Sequence, residues 1–478
     1  MPFNMTRLDK IFSIIAFGLL TIITLLIIGG DRTVPRVAQF SHEGKIISAK
    51  TSQFSFTFNR EMDKRSVEEG FVSEPPLDGT FSWSGRKAAV TLALPLNPST
   101  TYTLRLRNAR DARGVPLTEY VTHLQTRNPL LIYIGTESNE LRKILLYDPT
   151  TKEKRILPTE NLTILSIYPH PSGRYILFFA LDKDTPKSAS LEEYQELYSI
   201  SLENNRITKL ADNKGFRNSA LSISPDGSFM MMRRQEVDAK RLISSSDHLY
   251  GSPFIHPSWQ KFWYEEGNPP AHFTPNGRSV LVWNIREGFV LVPTSPMEQI
   301  PENIGNFQQS FGFSSDGSKA LFTEFEAEGT TRNFNHIMVF YNKGEKQPLL
   351  KNTGSIAKPT FTPDGRFFYY LMMKKEDNTL GAPLFHLYAY DFDKDRVQPI
   401  TTDTLYSEEQ FAISPDGSQV VFERYPYLSP ENKGIDQRPI LEAAEKSFAG
   451  AELWSYKTNT MGEVTNLGIK GRSPKWVE

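Results

Sequence analysis

No cysteine occurs among the 478 residues. This excludes a disulfide framework, a thiolate metal site and a cysteine nucleophile, and it leaves the redox compartment unread. An excess of one charge is missing too. Lys and Arg total 54 against 55 Asp and Glu, a net charge of −1, so no global field draws the chain to nucleic acid or an acidic surface. Catalytic signatures are also lacking: there is no G-x-S-x-G elbow, no H-E-x-x-H and no G-x-x-x-x-G-K-[ST]. No cofactor is expected.

What is present is a recurring short turn. It reads Ser224-Pro225-Asp226-Gly227, Thr274-Pro275-Asn276-Gly277, Ser314-Ser315-Asp316-Gly317, Thr362-Pro363-Asp364-Gly365 and Ser414-Pro415-Asp416-Gly417, after a looser His170-Pro171-Ser172-Gly173. Each copy lies between apolar runs, such as Phe411-Ala412-Ile413 and Val420-Val421-Phe422. Proline presets φ, Asp or Asn bonds nearby backbone, and glycine accepts positive φ, the chemistry of a tight hairpin.

At this length two or three domains are expected. Residues 11–30 (IFSIIAFGLLTIITLLIIGG) carry no charge and, as a helix, match the roughly 30 Å of a hydrocarbon core. Arg7 and Lys10 precede them. The run exceeds a usual signal-peptide core and no A-x-A-like site follows, so an uncleaved anchor is expected over a cleaved leader. Residues 1–10 would form a cytoplasmic head, leaving the bulk of the chain outside a cell membrane.

Residues 33–127 read as a β-sandwich. Phe54, Phe56 and Phe58 alternate with Ser55 and Thr57, Ser84-Gly85 marks a hairpin, and Tyr102, Leu104 and Leu106 continue the alternation. The pieces Phe56-Thr57-Phe58-Asn59-Arg60-Glu61-Met62-Asp63, Leu96-Asn97-Pro98-Ser99-Thr100-Thr101-Tyr102 and Asp111-Ala112-Arg113-Gly114 resemble the bacterial Ig-like domain of S-layer and other surface proteins. The resemblance implies a spacer or adhesion module.

From 129 to 478 the turn glycines recur every 40 to 54 residues, the spacing of a β-propeller with four strands per blade. Strands at 130–134, 141–147 and 154–157 have no turn motif before them. The last residues, Arg472 to Glu478, read as an inner strand without its hairpin. Joined, they complete a seventh blade and leave no exposed sheet edge; six blades with an extra hairpin is the alternative. The Pro-Asp-Gly turn after an apolar strand resembles the TolB-type propeller repeat, also seen in propellers appended to prolyl oligopeptidases. That resemblance speaks for the fold and much less for function.

In such a meander the short turns share one face, and the long second-to-third connections, about 182–195, 236–264, 326–336, 374–385 and 425–450, emerge on the other. Irregular loops on a rigid scaffold are the expected binding face. The aromatic stretch Trp259-Gln260-Lys261-Phe262-Trp263-Tyr264 falls there, and Trp259, Phe262, Trp263 and Tyr264 are the candidate binding residues; the bland alternative packs the rings inside a strand. Residues 439–448 have helix-forming composition, either packing on their own blade or docking a partner. Asp391, Asp393 and Asp395 alternate as in a calcium loop but lack its glycine and distal glutamate, so a solvated turn is expected. His248, His256 and His272 have no metal-ligand spacing, and no metal site is expected. The expectation is an all-β, membrane-anchored, non-catalytic protein whose propeller binds a protein or cell-envelope polymer. The alternative is a propeller hydrolase or lyase acting on extracellular glycans through carboxylates gathered across blades.

Overall fold

A computed structural model describes residues 7–29, 34–49, 51, 53–94, 96–159, 161–183, 185, 194–236, 246–251, 260–264, 267–295, 300–328, 331–341, 345–352, 355–373, 384–403, 406–426, 450–458 and 462–477. The chain divides into two compact units. One comprises Met1–Ile46, Ser52–Ala93 and Thr101–Gln125; the other comprises Ile47–Thr51, Leu94–Thr100 and Thr126–Glu478.

The N-terminal apolar run forms one continuous helix, α1 (Arg7–Gly29), with Phe12, Ile14, Phe17 and Leu20 largely exposed. The expected membrane span is nevertheless not confirmed. Among the described residues no helix is long and apolar enough to cross a membrane, and Gly30 and the side chains of residues 8–10, 23 and 25–29 lie outside them.

The sandwich strands are β1 (Val37–Phe40), β2 (Ile46–Ile47), β3 (Gln53–Phe58), β4 (Phe71–Glu74), β5 (Gly79–Ser84), β6 (Lys87–Leu92), β7 (Thr101–Leu106) and β8 (Tyr120–Thr126). They form two sheets, ordered β1-β3-β6-β5 and β2-β8-β7-β4. Phe54, Phe56 and Phe58 are at most 1 % exposed, as their alternation requires, and Tyr102, Leu104 and Leu106 are buried with them. One element departs from the all-strand expectation: a short helix α2 (Lys64–Gly70) follows Asp63 and buries Val67. Residues 64–70 show no two-residue alternation, and Arg65 pairs with Glu69 one turn on. Arg60 Nη1 donates to Asp111 Oδ2 at 3.0 Å, and Ala112 N–H donates to Glu61 O. Two motifs fifty residues apart in sequence are therefore one structural corner.

The second unit begins with β9 (Leu130–Gly135), β10 (Ile144–Tyr147) and β11 (Lys154–Ile156). Four-stranded antiparallel sheets follow in chain order. They are β12–β15 (Leu162–Pro169, Tyr175–Asp182, Glu196–Ser201, Ile207–Ala211) and β16–β19 (Phe216–Ile223, Met230–Glu236, Ser246–Gly251, Gln260–Lys261). Next come β20–β23 (Gly267–Phe273, Ser279–Asn284, Gly288–Pro293, Glu302–Gly305) and β24–β27 (Gln309–Phe313, Lys319–Glu328, Thr331–Tyr341, Lys346–Asn352). The last is β28–β31 (Ser355–Phe361, Phe367–Met373, His386–Asp391, Arg396–Pro399). The remaining strands, β32 (Tyr406–Ile413), β33 (Gln419–Pro426), β34 (Glu452–Lys457) and β35 (Val464–Val477), join β9–β11 in one sheet ordered β11-β10-β9-β35-β34-β33-β32. β35 serves two neighbours. Its first half pairs with β34 from Val464 to Lys470, and its second half pairs with β9 from Gly471 to Val477. The chain's end thus closes onto the unit's first strand, as the unmatched strands at both ends predict.

First strands touch one another, β16 with β20, β20 with β24, β24 with β28, and β35 with both β12 and β32, which makes them the innermost layer. Every first strand carries a bulge against its second, and so does the closing half of β35 against β9. Apolar cores fill the spaces between sheets, for example Leu177, Phe179, Leu210, Met230 and Met232.

The repeated turn owes its geometry to a residue that the Pro-Asp-Gly reading passes over. In the Gly227 copy the Ser224 hydroxyl donates to Asp226 Oδ1 at 2.6 Å and accepts from Phe229 N–H at 2.9 Å, while Gly227 N–H donates to Ser224 O. Ser or Thr does the same in the Gly277, Gly317, Gly365 and Gly417 copies. The looser first copy keeps the turn with His170, whose ring also reaches Gly227 O at 3.1 Å. Gly227 has φ +73°, and a Cβ there would collide with the His170 ring, whereas at Gly277 the nearest atom is 3.8 Å away. Gly227→Ala is therefore expected to lower the melting temperature clearly more than Gly277→Ala. Positive φ strains both by about 1 kcal/mol. In a His170→Ala background the gap between the two should close; a gap that persists counts against the His170 contact as its cause.

Candidate functional site

The described rings of the aromatic stretch touch in sequence, with 6.0 Å between the centroids of Phe262 and Trp263 and of Trp263 and Tyr264, but they differ in exposure. Phe262 is 3 % exposed and packs with Met231, Val280, Val282, Val290 and Val292. Trp263 is 36 % exposed, and its indole N–H donates to Pro293 O at 3.0 Å. Pro293 pairs with Ser279, so this ring lies at the end of its sheet that carries the Thr274–Gly277 turn. Tyr264 is half-buried, and its hydroxyl accepts from Asn284 Nδ2 at 2.9 Å, at the opposite end. Trp259 lies outside the described residues, as do residues 439–448 and most of the long connections.

Two polar clusters that the sequence reading did not single out sit between the final sheets. In the first, Glu408 on β32 is 0 % exposed. Its Oε1 takes Arg424 Nε at 3.0 Å; its Oε2 takes the Thr401 hydroxyl at 3.0 Å and lies 3.2 Å from His386 Nδ1. The Arg424 guanidinium stacks over Tyr406 and Trp454, 4.4 and 4.8 Å from the ring centres. Every oxygen of this carboxylate is satisfied, so the cluster ties β30 to β32 and β33 and presents no free reactive group.

The second cluster spans three innermost strands. Lys358 at the β28 bulge has φ +54° and donates from Nζ to Glu409 O on β32 at 2.6 Å. Ser473 at the β35 bulge has φ +53°, and its N–H donates to Glu423 Oε2 at 2.9 Å. Bulges re-aim side chains in this way. Glu423 is 0 % exposed; its Oε1 and the Tyr425 hydroxyl, both buried, make no hydrogen bond. Burial pushes the Glu423 carboxyl up to about 7, against the opposing pull of the Ser473 amide, Arg472 and Lys358. Burial, and after it Lys475 and Arg472, hold the Lys358 ammonium below its usual range, against Glu423 and Glu409. Lys475 is lowered by burial as well. Taken over the whole residue, Lys358 is exposed and Lys475 half-buried. Chemically, this is a carboxyl that exchanges a proton near neutrality beside cations that repel one another. The polar run Ser407-Glu408-Glu409-Gln410 inside a first strand is the one signal by which sequence alone marks this region.

The remaining candidates are accounted for by local bonds. Asp391 Oδ1 accepts the Asp393 and Lys394 amides, Asp393 pairs with Arg366, and Asp395 accepts the Tyr390 hydroxyl, which makes a turn between β30 and β31. The His272 ring lies 3.1 Å from Ser310 O on the next first strand, and burial lowers its pKa. His256 lies outside the described residues. Among the described residues no group of His, Cys, Asp and Glu could hold a metal ion.

Comparison with known proteins bears on both units. No curated protein matches the chain. A putative TolB from Agrobacterium tumefaciens is 17 % identical with a TM-score of 0.38, over 56 % of this chain and 86 % of that one. TolB from Acinetobacter baumannii is 13 % identical with a TM-score of 0.39, over 85 % and 83 %. The β-propeller domain of the trilobed protease from Pyrococcus furiosus is 12 % identical with a TM-score of 0.39, over 78 % and 94 %. Residues 31–126 match the family described as the bacterial Ig-like domain, and the structural neighbours of the chain include TolB-type β-propellers.

Proposed function

We propose that this protein is a non-catalytic, extracytoplasmic binding scaffold. In this reading α1 holds it at a membrane, the Ig-like domain acts as spacer, and the propeller takes a protein or cell-envelope polymer. Counting each half of the seven-stranded sheet as one blade gives the propeller seven. The observation that carries the reading is the segregation of connections. The Gly227, Gly277, Gly317, Gly365 and Gly417 turns each face the turn before them, so they form a continuous row of structural turns, and the long irregular connections are left to the other ends of the sheets. A helix that begins with Arg7 and Lys10 and carries no charge from Ile11 onward, with exposed apolar side chains, supports the anchor.

The test uses a soluble fragment, residues 33–478, immobilised and challenged with cell-envelope extract. Retention of one component is expected, lost when residues 427–449 are replaced by a short Gly-Ser linker and kept in Asp226→Asn on the row of turns. Retention of nothing, or equal retention by the linker variant, overturns the loop-face reading. Protease shaving of intact cells tests the anchor, and a body that stays protected overturns it.

A further inference from the structure

The cluster on the innermost strands has the features of a ligand site that the loop-face reading does not use. Three cations, Lys358, Arg472 and Lys475, are brought to it from β28 and β35 by bulges, each of which places a non-glycine residue at positive φ. The same bulge puts Ala220 on β16 and Gly312 on β24 at positive φ, so the geometry belongs to the scaffold; what sets β28 and β35 apart is that it delivers charged side chains to one place. Two carboxylates, Glu409 and Glu423, stand among the cations, so the positive charge is not fully balanced. Burial holds the Lys475 ammonium below its usual range while Glu423 attracts it, and Glu423 Oε1 is a fully buried oxygen without a hydrogen-bond partner. A buried polar atom in that state costs free energy unless something fills its place.

We propose that Lys475, Lys358 and Glu423 Oε1 form a binding site for a small oxyanion, the carboxylate or tetrahedral oxyanion group of a ligand entering along the innermost strands. Glu423 takes part as the neutral acid. Its Oε2 keeps the Ser473 amide, and Oε1–H donates to the anion; the two ammonium groups supply the countercharge, and Arg472 adds to the field. An ionised Glu423 would repel the same ligand, so a proton is taken up with the anion. Because Glu423 titrates near 7, affinity follows its protonated fraction and falls about tenfold from pH 6 to pH 8. The residues that form the site all lie on β28, β33 and β35, whereas partner capture is assigned to the long connections, so anion binding and capture are read separately.

Calorimetric titration of the full chain in detergent micelles tests the site with sodium sulfate and sodium acetate, neither of which titrates between pH 6 and 8. Saturable binding of at least one anion is expected at pH 6. Sulfate alone identifies a tetrahedral ligand group, and acetate alone a carboxylate. Lys475→Met should weaken binding at least tenfold. Glu423→Gln, whose amide still donates, should keep binding and lose the tenfold pH dependence. No saturable binding of either anion to the unaltered protein at pH 6 overturns the proposal, and so does unchanged affinity in a folded Lys475→Met, or a pH dependence that survives in Glu423→Gln.

Discussion

Arg424→Met is expected to destabilise the propeller by about 3–5 kcal/mol, the range for breaking a buried ion pair by removing one partner. The cost arises mainly on the other side of the pair. Glu408 is 0 % exposed, and without the guanidinium its Oε1 loses the 3.0 Å bond from Arg424 Nε while the Thr401 hydroxyl and His386 still hold Oε2 in place. The carboxylate can neither move to water nor find a new donor. Methionine fills much of the space over Tyr406 and Trp454, which separates loss of charge from loss of packing. The double variant Glu408→Leu with Arg424→Met is expected to be closer to the parent than Arg424→Met alone, since no charge is then stranded. Denaturant unfolding followed by tryptophan fluorescence measures all three. A single-variant loss below about 1 kcal/mol would show that the pair is not buried as described.

Glu423 should give the protein a stability that declines as pH rises towards neutrality. Its folded-state carboxyl is pushed up to about 7 from an ordinary 4.5, chiefly by burial. Below 4.5 both states hold the proton and the contribution is fully present. Between 4.5 and about 7 the folded state alone holds it, so each pH step upward favours unfolding, and above 7 the loss is complete. The shift corresponds to about 3 kcal/mol over that window. Glu423→Gln keeps the shape and removes the proton, so its melting temperature should exceed the parent's at pH 8 and fall less steeply between pH 5 and 7. Parallel pH profiles for the two proteins would mean that Glu423 keeps an ordinary pKa.

Whatever depends on local pattern could be read before the structure was in hand. Phe54, Phe56 and Phe58 announce their strand by alternation, and the positive φ of Gly227, Gly277, Gly317, Gly365 and Gly417 follows from the turn in which each glycine stands. The strands at either end of the propeller region pair as their lack of partners in sequence demands. What escaped depends on distant neighbours. Trp263 and Phe262 are adjacent in an aromatic run, yet one is half-open and the other lies in the core, because register against another sheet decides which ring turns inward. The Ser224 hydroxyl is invisible as a turn lock, since serine in a turn is commonplace and only the Phe229 amide gives it that role. Glu408 and Glu423 look like ordinary strand carboxylates. Their character comes from Arg424, Thr401 and His386 in one case and the Ser473 bulge in the other, and no spacing rule links those positions.

The pairing of β35 with β9 also sets an order in time. β9 is made early, and the half-strand that covers its open edge is made only after the sequence of every other sheet has been completed. At about 5–20 residues per second, that edge waits roughly twenty seconds to a minute for its partner. Through that interval the nascent chain carries a bare strand able to pair with any extended segment, including the same strand of a neighbouring chain. Completion of the ring is then a single late event joining distant parts of the chain, the kind of contact that makes folding slow. For this protein the vulnerable moment is its synthesis.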